Sequence, residues 1–157
     1  MNTRFTNYLQ SLTPKKRDIA KEAVMEYLKG ESEDIQVIDS AQKAFIYCQD
    51  LKLETVEHAE VLLLRNNCKL IKRVKIAQGG LTETLFDVRL IMKEALLNNA
   101  TAIIMVHNHP SGSNRPSMMD DQLTMNVKKA CDIMRISLAD HIIVADDYYS
   151  YREQGKL

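Results

Sequence analysis

Within one short stretch of this chain lie three residues whose side chains can hold a metal ion. His107, His109 and Asp120 belong to the run His-Asn-His-Pro-Ser-Gly-Ser-Asn-Arg-Pro-Ser-Met-Met-Asp. The histidines follow Ala102-Ile103-Ile104-Met105-Val106, a continuous apolar run that reads as a buried strand. Side chains at i and i+2 of an extended segment point the same way, so both imidazoles face one point while Asn108 faces elsewhere. Asp120 stands in the first turn of a segment with helical spacing at Leu123, Val127, Ala130 and Met134. A helix start returning beside the strand brings its carboxylate to the same point. Two imidazoles and one carboxylate leave a fourth position open, which is the pattern of a catalytic zinc site rather than a closed structural one.

Each residue also has a plainer use. Ser117-x-x-Asp120 matches a capping box, in which serine and a carboxylate satisfy orphan amides at a helix start, and Pro116 just before it supports a helix beginning there. Taken alone, that reading accounts for both residues, and a lone His-x-His is common. Together the elements form a complete ligand set, and the two roles are compatible: Ser117 caps while Asp120 coordinates. Zinc deaminases are excluded, because they need a Pro-Cys-x-x-Cys beside their His-x-Glu and no such string occurs here. The literal string His-Asn-His is a coincidence with the name of the HNH nucleases, whose residues are dispersed over a ββα unit.

The rest of the chain must position this stretch. Thr13 reads as an N-cap with Pro14 at the first helical position. Ile19, Ala20, Ala23, Val24, Tyr27 and Leu28 form a stripe at helical spacing, Gly30 is the expected stop, and Glu31 to Asp34 is an acidic linker. A second short helix starts near Asp39 or Ser40, with Ala44, Tyr47, Cys48 and Leu51 on one face. Neither helix carries a chemical motif. They read as packing elements, a helical extension over residues 1–52 ahead of a catalytic domain over 53–157. Val61-Leu62-Leu63-Leu64 reads as a buried strand, and Asn66-Asn67 as a turn, since asparagine tolerates left-handed backbone. A return strand from about Lys69 to Ala77 completes a hairpin. Its Lys69, Lys72, Arg73 and Lys75 read as a solvated face, and Gly79-Gly80 ends it.

A helix from about Glu83 to Asn98 turns Leu85, Val88, Met92, Ala95 and Leu96 inward, ahead of the central strand Thr101 to Val106. Beyond the loop come a helix from Ser117 to about Arg135, a core strand from Leu138 to Ala145, a turn at Asp146-Asp147 and a short strand at Tyr148 to Tyr151. Strands alternating with helices indicate an α/β fold of three α/β/α layers, with a mixed sheet because its first strands form a hairpin.

Bulk properties narrow the partners. At 157 residues, 45% apolar and 27% charged, the chain has the make-up of one soluble globular domain. Basic and acidic residues number 21 each, a balance that disfavours coating nucleic acid or an anionic membrane. No apolar run approaches the roughly 20 residues of a membrane helix, and Met1 to Pro14 has no apolar core of signal-peptide type. Cys48, Cys68 and Cys131 are odd in number and widely spaced, so they read as reduced thiols and place the chain in the cytoplasm.

His-x-His, seven residues, then Ser-x-x-Asp resembles the motif of the JAMM (MPN/JAB) metalloprotease superfamily. The fuller string His-Asn-His-Pro-Ser-Gly, with Pro116-Ser117, Asp120 and Thr124 beyond it, is most similar to the bacterial RadC-type branch. Arg89, Asn99-Ala100, Asp140-His141-Ile142-Ile143 and Ser150 fit the same pattern, from about Glu54 to the C-terminus. The resemblance implies a cytidine-deaminase-like three-layer JAB/MPN fold and one zinc ion per chain on His107, His109 and Asp120, with water in the fourth position. It also implies a glutamate on the early strand as general acid/base, which matches Glu57, and Ser117 as a donor to the tetrahedral oxyanion. Glu54 and Glu60 lie close by, but Glu60 faces away from Glu57's side of a regular strand. His141, Asp140 and Asn108 are candidates to stand behind the ligands; His58 and His141 could join the site, but each reads rather as a histidine that supports the ligands from behind or as a structural one. Two departures are visible. No helix-hairpin-helix module is evident in residues 1–50, although longer RadC-type proteins have one, and the loop Ser113-Asn114-Arg115 is less acidic and less Pro-rich than usual.

The leading expectation is therefore a zinc-dependent metallopeptidase acting on a peptide or protein of unknown identity, without membrane association and compatible with a homodimer. The alternative is a DNA-repair-associated RadC-like accessory protein without peptidase activity. A metal-free interaction module is a third reading, disfavoured because the full ligand set is present.

Overall fold

The computed structural model describes Tyr8 and residues 11–32, 37–79 and 87–157. Within them run helix α1 (Pro14–Ser32), helix α2 (Ala41–Tyr47), a 3-10 helix (Gln49–Leu53), strands β1 (His58–Leu64) and β2 (Leu70–Gln78), helix α3 (Val88–Leu97), strand β3 (Ala102–Asn108), helix α4 (Met118–Met134) and strands β4 (Ser137–Val144) and β5 (Tyr148–Ser150). The sheet order is β2-β1-β3-β4-β5. β1 is antiparallel to both β2 and β3, β3 is parallel to β4, and β5 returns antiparallel on β4. The fold is α/β with a mixed sheet, as expected.

Alternation along the strands builds two cores. Val61, Leu63, Ile103 and Met105 pack with Ile91, Ala95, Leu123, Val127 and Cys131 of α3 and α4. Leu62, Leu64, Ile104, Val106, Ile142 and Val144 pack on the other face with Ile38, Ala41, Ala44, Cys48 and Leu51. Every residue of β1 is buried, which explains why it reads as a continuous apolar run rather than an alternating one. The second helix, assigned by sequence to the extension, thus supplies a layer of the sheet's own core. Burial pushes the Cys48 thiol up to about 12 and the Cys131 thiol up to about 11, so neither is a ready thiolate.

Three local expectations are corrected, and a fourth falls outside the described residues. α1 continues through Gly30 to Ser32, because a single glycine costs only about 1 kcal/mol in a helix and stops it only where a capping geometry follows. On its expected inner stripe Ile19 and Tyr27 are exposed, while Ala20 and Val24 are half-buried. In the β1–β2 turn the left-handed backbone falls on Cys68 (φ 60°) rather than on either asparagine. Asn67 instead accepts from the Lys69 amide through its side chain. The expected helix start at residues 83–86 and Gly80 lie outside the described residues; α3 is capped by Asp87, which accepts from the Arg89 amide at 2.9 Å.

Of the cations expected on the return strand, Lys69, Lys72 and Lys75 are solvated but Arg73 is not. Its guanidinium grips Asp50 with two bonds of 2.8 Å and also pairs with Glu60, which is buried. Arg73→Ala should cost about 2–4 kcal/mol in urea unfolding, because it leaves the Glu60 carboxylate buried without a cation. A loss below about 0.5 kcal/mol would show that Glu60 relaxes into water.

Candidate metal centre

The site begins where β3 ends. The His109 amide still bonds the Val144 carbonyl of β4 at 3.0 Å, which carries the extended geometry one residue past the strand. The chain then turns sharply, with Gly112 at φ 79°, a left-handed conformation that disfavours any side chain. The Gly112 amide bonds the His109 carbonyl at 3.0 Å, and the Ser113 carbonyl lies 2.8 Å from His109 Nδ1. The loop therefore folds back on the histidine it follows.

At the start of α4 the capping box is complete. Ser117 Oγ accepts from the Asp120 amide at 3.1 Å, and Asp120 Oδ2 accepts from the Ser117 amide and hydroxyl, both at 2.7 Å. The cap aims Asp120 at the strand end. His107 Nε2 stands 3.1 Å from His109 Nε2 and 3.3 Å from Asp120 Oδ1, and His109 Nε2 lies 3.6 Å from Asp120 Oδ2. His107 and Asp120 are buried and His109 is half-buried. These are the ligand-type residues that converge within one cation's reach among the described residues.

The chemistry of the donor set tests whether a cation fits. The Ser113 carbonyl can only accept, so His109 Nδ1 carries its proton and Nε2 presents a lone pair. Two imidazole nitrogens and a carboxylate converge, and only a proton or a metal ion between them removes the repulsion among acceptors. Two nitrogens and one oxygen suit zinc.

The electrostatics agree. Burial works against the Asp120 charge, but hydrogen bonding with His107, His109 and Ser117 holds its carboxyl well below the usual range. Its bond to Asp120 raises the His109 pKa against the effect of burial. His141, fully buried, is pushed well below the ordinary histidine value by burial and by His107. These shifts oppose one another in pH. The raised His109 contributes stability that is complete below about pH 6.5 and is lost as pH rises through its folded value. His141 stays neutral in the fold while the unfolded chain takes up a proton, so its effect removes stability as pH falls below about 6.5. Chelator-treated protein should therefore be most stable near pH 6.5 in urea unfolding, with a decline on both sides. A monotonic rise from pH 5 to 9 would contradict the His109 assignment.

Glu57 immediately precedes β1, whose Ala59 pairs with His107 of the ligand strand. Its charge contributes to the raised His109 pKa. The other two glutamates are engaged elsewhere: Glu54 lies 3.6 Å from Lys21 and 3.5 Å from His58, and Glu60 pairs with Arg73.

Asn108, pointing away from the ligands, has a function that sequence reasoning left unspecified. Its Oδ1 accepts from the His58 amide at 2.6 Å and its Nδ2 donates to the Val56 carbonyl at 3.1 Å. The Glu57 carbonyl accepts from Gly79 at 2.8 Å, so the backbone on both sides of Glu57 is pinned. A buried asparagine in a strand must find such partners, and that was the available signal. Asn108→Ala should cost about 2–6 kcal/mol in urea unfolding, since it orphans two backbone groups at about 1–3 kcal/mol each. A neutral result would mean that water replaces the amide.

The remaining residues fall into two groups. His141 joins the site behind His107, 2.8 Å from its Nδ1. Asp140 does not. Its carboxylate accepts from Ser150 at 2.5 Å and from the His141 and Arg152 amides at 2.7 and 3.0 Å, tying β4 to the C-terminal turn. His58 is buried beside Glu54, and Arg89 is exposed and paired with Asp87 at 2.8 Å.

Residues 38–156 match the RadC-like JAB domain family. The chain belongs to that family. As a RadC-like JAB domain it includes the whole sheet and every residue of the candidate centre within the matched span, with α1 outside it. It is 42% identical over 123 residues to a UPF0758 protein of Streptococcus gordonii, covering 78% of this chain and 54% of that protein. It is 47% identical over 103 residues to a UPF0758 protein of Porphyromonas gingivalis (64% and 45%) and 38% identical over 124 residues to one of Flavobacterium johnsoniae (77% and 54%). The chain spans about half the length of these curated relatives.

Proposed function

We propose that this JAB domain is a zinc-dependent hydrolase that cleaves a peptide or isopeptide-like amide. The observation that carries the reading is the convergence of His107, His109 and Asp120 on one point, with Glu57 near enough for its charge to act on His109. A zinc ion held there would lower the pKa of a coordinated water toward about 7 and polarise the scissile carbonyl. Glu57 takes the proton of the attacking water on its carboxylate and delivers it to the leaving nitrogen. Ser117 turns its hydroxyl from Asp120 Oδ2 to the oxyanion while its amide stays on the carboxylate; one such donor contributes about 3–4 kcal/mol. Asn108 keeps the base strand in register with the ligand strand.

Two of the β2 cations are already paired, which weighs against a phosphate backbone as the partner: Arg73 is neutralised by Asp50 and Glu60, and Lys72 lies 3.5 Å from Glu94. A cytoplasmic setting, with the three cysteines as free thiols, belongs to the same reading. No helix among the described residues is long and apolar enough to cross a membrane.

The test pairs zinc-loaded with chelator-treated protein on peptide and isopeptide-linked libraries read by mass spectrometry. Cleavage that appears with zinc and disappears with chelator is expected. No cleavage in either state, with salt-sensitive duplex DNA binding at about 50 mM salt, would instead support the DNA-repair accessory alternative.

A further inference from the structure

Behind the ligands lies a sealed chain of hydrogen bonds whose polarity is fixed from its far end. Thr124 Oγ1 is 2.6 Å from the Asp120 carbonyl and 2.6 Å from His141 Nδ1. A carbonyl oxygen can only accept, so the Thr124 hydroxyl donates to Asp120 and must accept from His141. His141 therefore carries its proton on Nδ1, which leaves Nε2 as an acceptor. That Nε2 lies 2.8 Å from His107 Nδ1, so His107 donates from Nδ1 and its Nε2 lone pair faces His109 and Asp120. His107, Thr124 and His141 are all buried, so the bulk solvent does not compete for these bonds. Tyr151 stacks on His141 with ring centroids 4.8 Å apart and planes 11° from parallel, fixing the ring that relays the choice. The Tyr151 hydroxyl is itself anchored on Asp121 at 2.9 Å.

We infer that Thr124 is a positioning residue which, acting through His141, sets the ring tautomer of His107 and aims its Nε2 at the metal. The inference rests on the proposed metal centre, and it adds a residue that touches neither metal nor substrate. It also makes the loop self-closing, because the hydroxyl that fixes one ligand is bonded to the backbone of another, Asp120.

The test uses the full chain with 15N-labelled histidine. In chelator-treated wild type, long-range 15N–1H spectra should show His107 and His141 both protonated on Nδ1. Thr124→Val keeps the side-chain shape without the hydroxyl, and should lower zinc affinity 10- to 100-fold in competition with a chromophoric chelator, the range seen when a partner behind a metal ligand is lost. Thr124→Ser should stay within about 3-fold of wild type. His107 lacking a proton on Nδ1 in wild type would overturn the inference, as would a folded Thr124→Val with unchanged affinity. Both leave the metal centre intact, and the wild-type spectrum decides the matter even if the valine variant does not fold. A wild type that takes up no zinc overturns the metal centre itself, a result separable from either of these.

Discussion

Asp120→Asn should abolish stoichiometric zinc binding while leaving the fold in place. The substitution keeps the shape and the helix start, since an amide oxygen can still accept from the Ser117 amide and hydroxyl. What it changes is the middle of the site. A carboxylate facing two imidazole lone pairs needs a cation, whereas an amide can turn its NH2 toward them and satisfy the acceptors without one. The metal-free state gains a hydrogen bond and the metal-bound state loses an anionic ligand, so both effects act against binding. Loss of a partner behind a ligand costs 10- to 100-fold in affinity, so loss of the ligand should exceed about 100-fold. Chelator competition and elemental analysis after dialysis measure this. Zinc retained at one per chain with wild-type affinity would remove Asp120 from the ligand set. His109→Ala should act in the same direction.

Glu57→Gln should separate metal from chemistry. Glutamine is nearly the same size and leaves untouched the backbone bonds that Asn108 and Gly79 make around this residue. Zinc affinity should stay within a few-fold of wild type, because Glu57 is not among the converging ligand atoms. Cleavage of whatever peptide the library test identifies should fall by about 10²–10⁴, the usual contribution of a positioned general acid/base. The equivalent changes at Glu54 and Glu60 should leave turnover much less affected, since those carboxylates face Lys21, His58 and Arg73. Equal losses at all three positions would mean that the variants fail through folding.

Much of this architecture can be read from the sequence, and what cannot has a physical reason. The ligand strand, the capped helix and the i, i+2 histidines are local patterns, and local patterns survive in one dimension. Asp120's double role is legible because a capping box fixes which way a first-turn side chain looks. The exposure of Ile19 and Tyr27 is not legible, because helical spacing states which residues share a face and not whether anything covers it. The partners of Arg73 are equally hidden. They come from the 3-10 helix and the adjacent strand, and no spacing rule links Asp50 to residue 73. The tie from Asn108 to Val56 and His58 spans half a hundred residues and appears only once β1 lies beside β3.

That separation has a consequence for assembly. The three converging residues lie between positions 107 and 120, within a single strand-loop-helix unit, whereas Glu57 stands just ahead of β1, which joins β3 by non-local pairing. Contacts of short sequence separation form early in folding, and distant strand pairings are slower. A nascent chain could thus capture its ion before the hairpin docks, with the acid/base still absent. On the proposed function, hydrolytic competence would then be the last property acquired, and an immature chain would hold a Lewis acid without the group needed to use it on its neighbours.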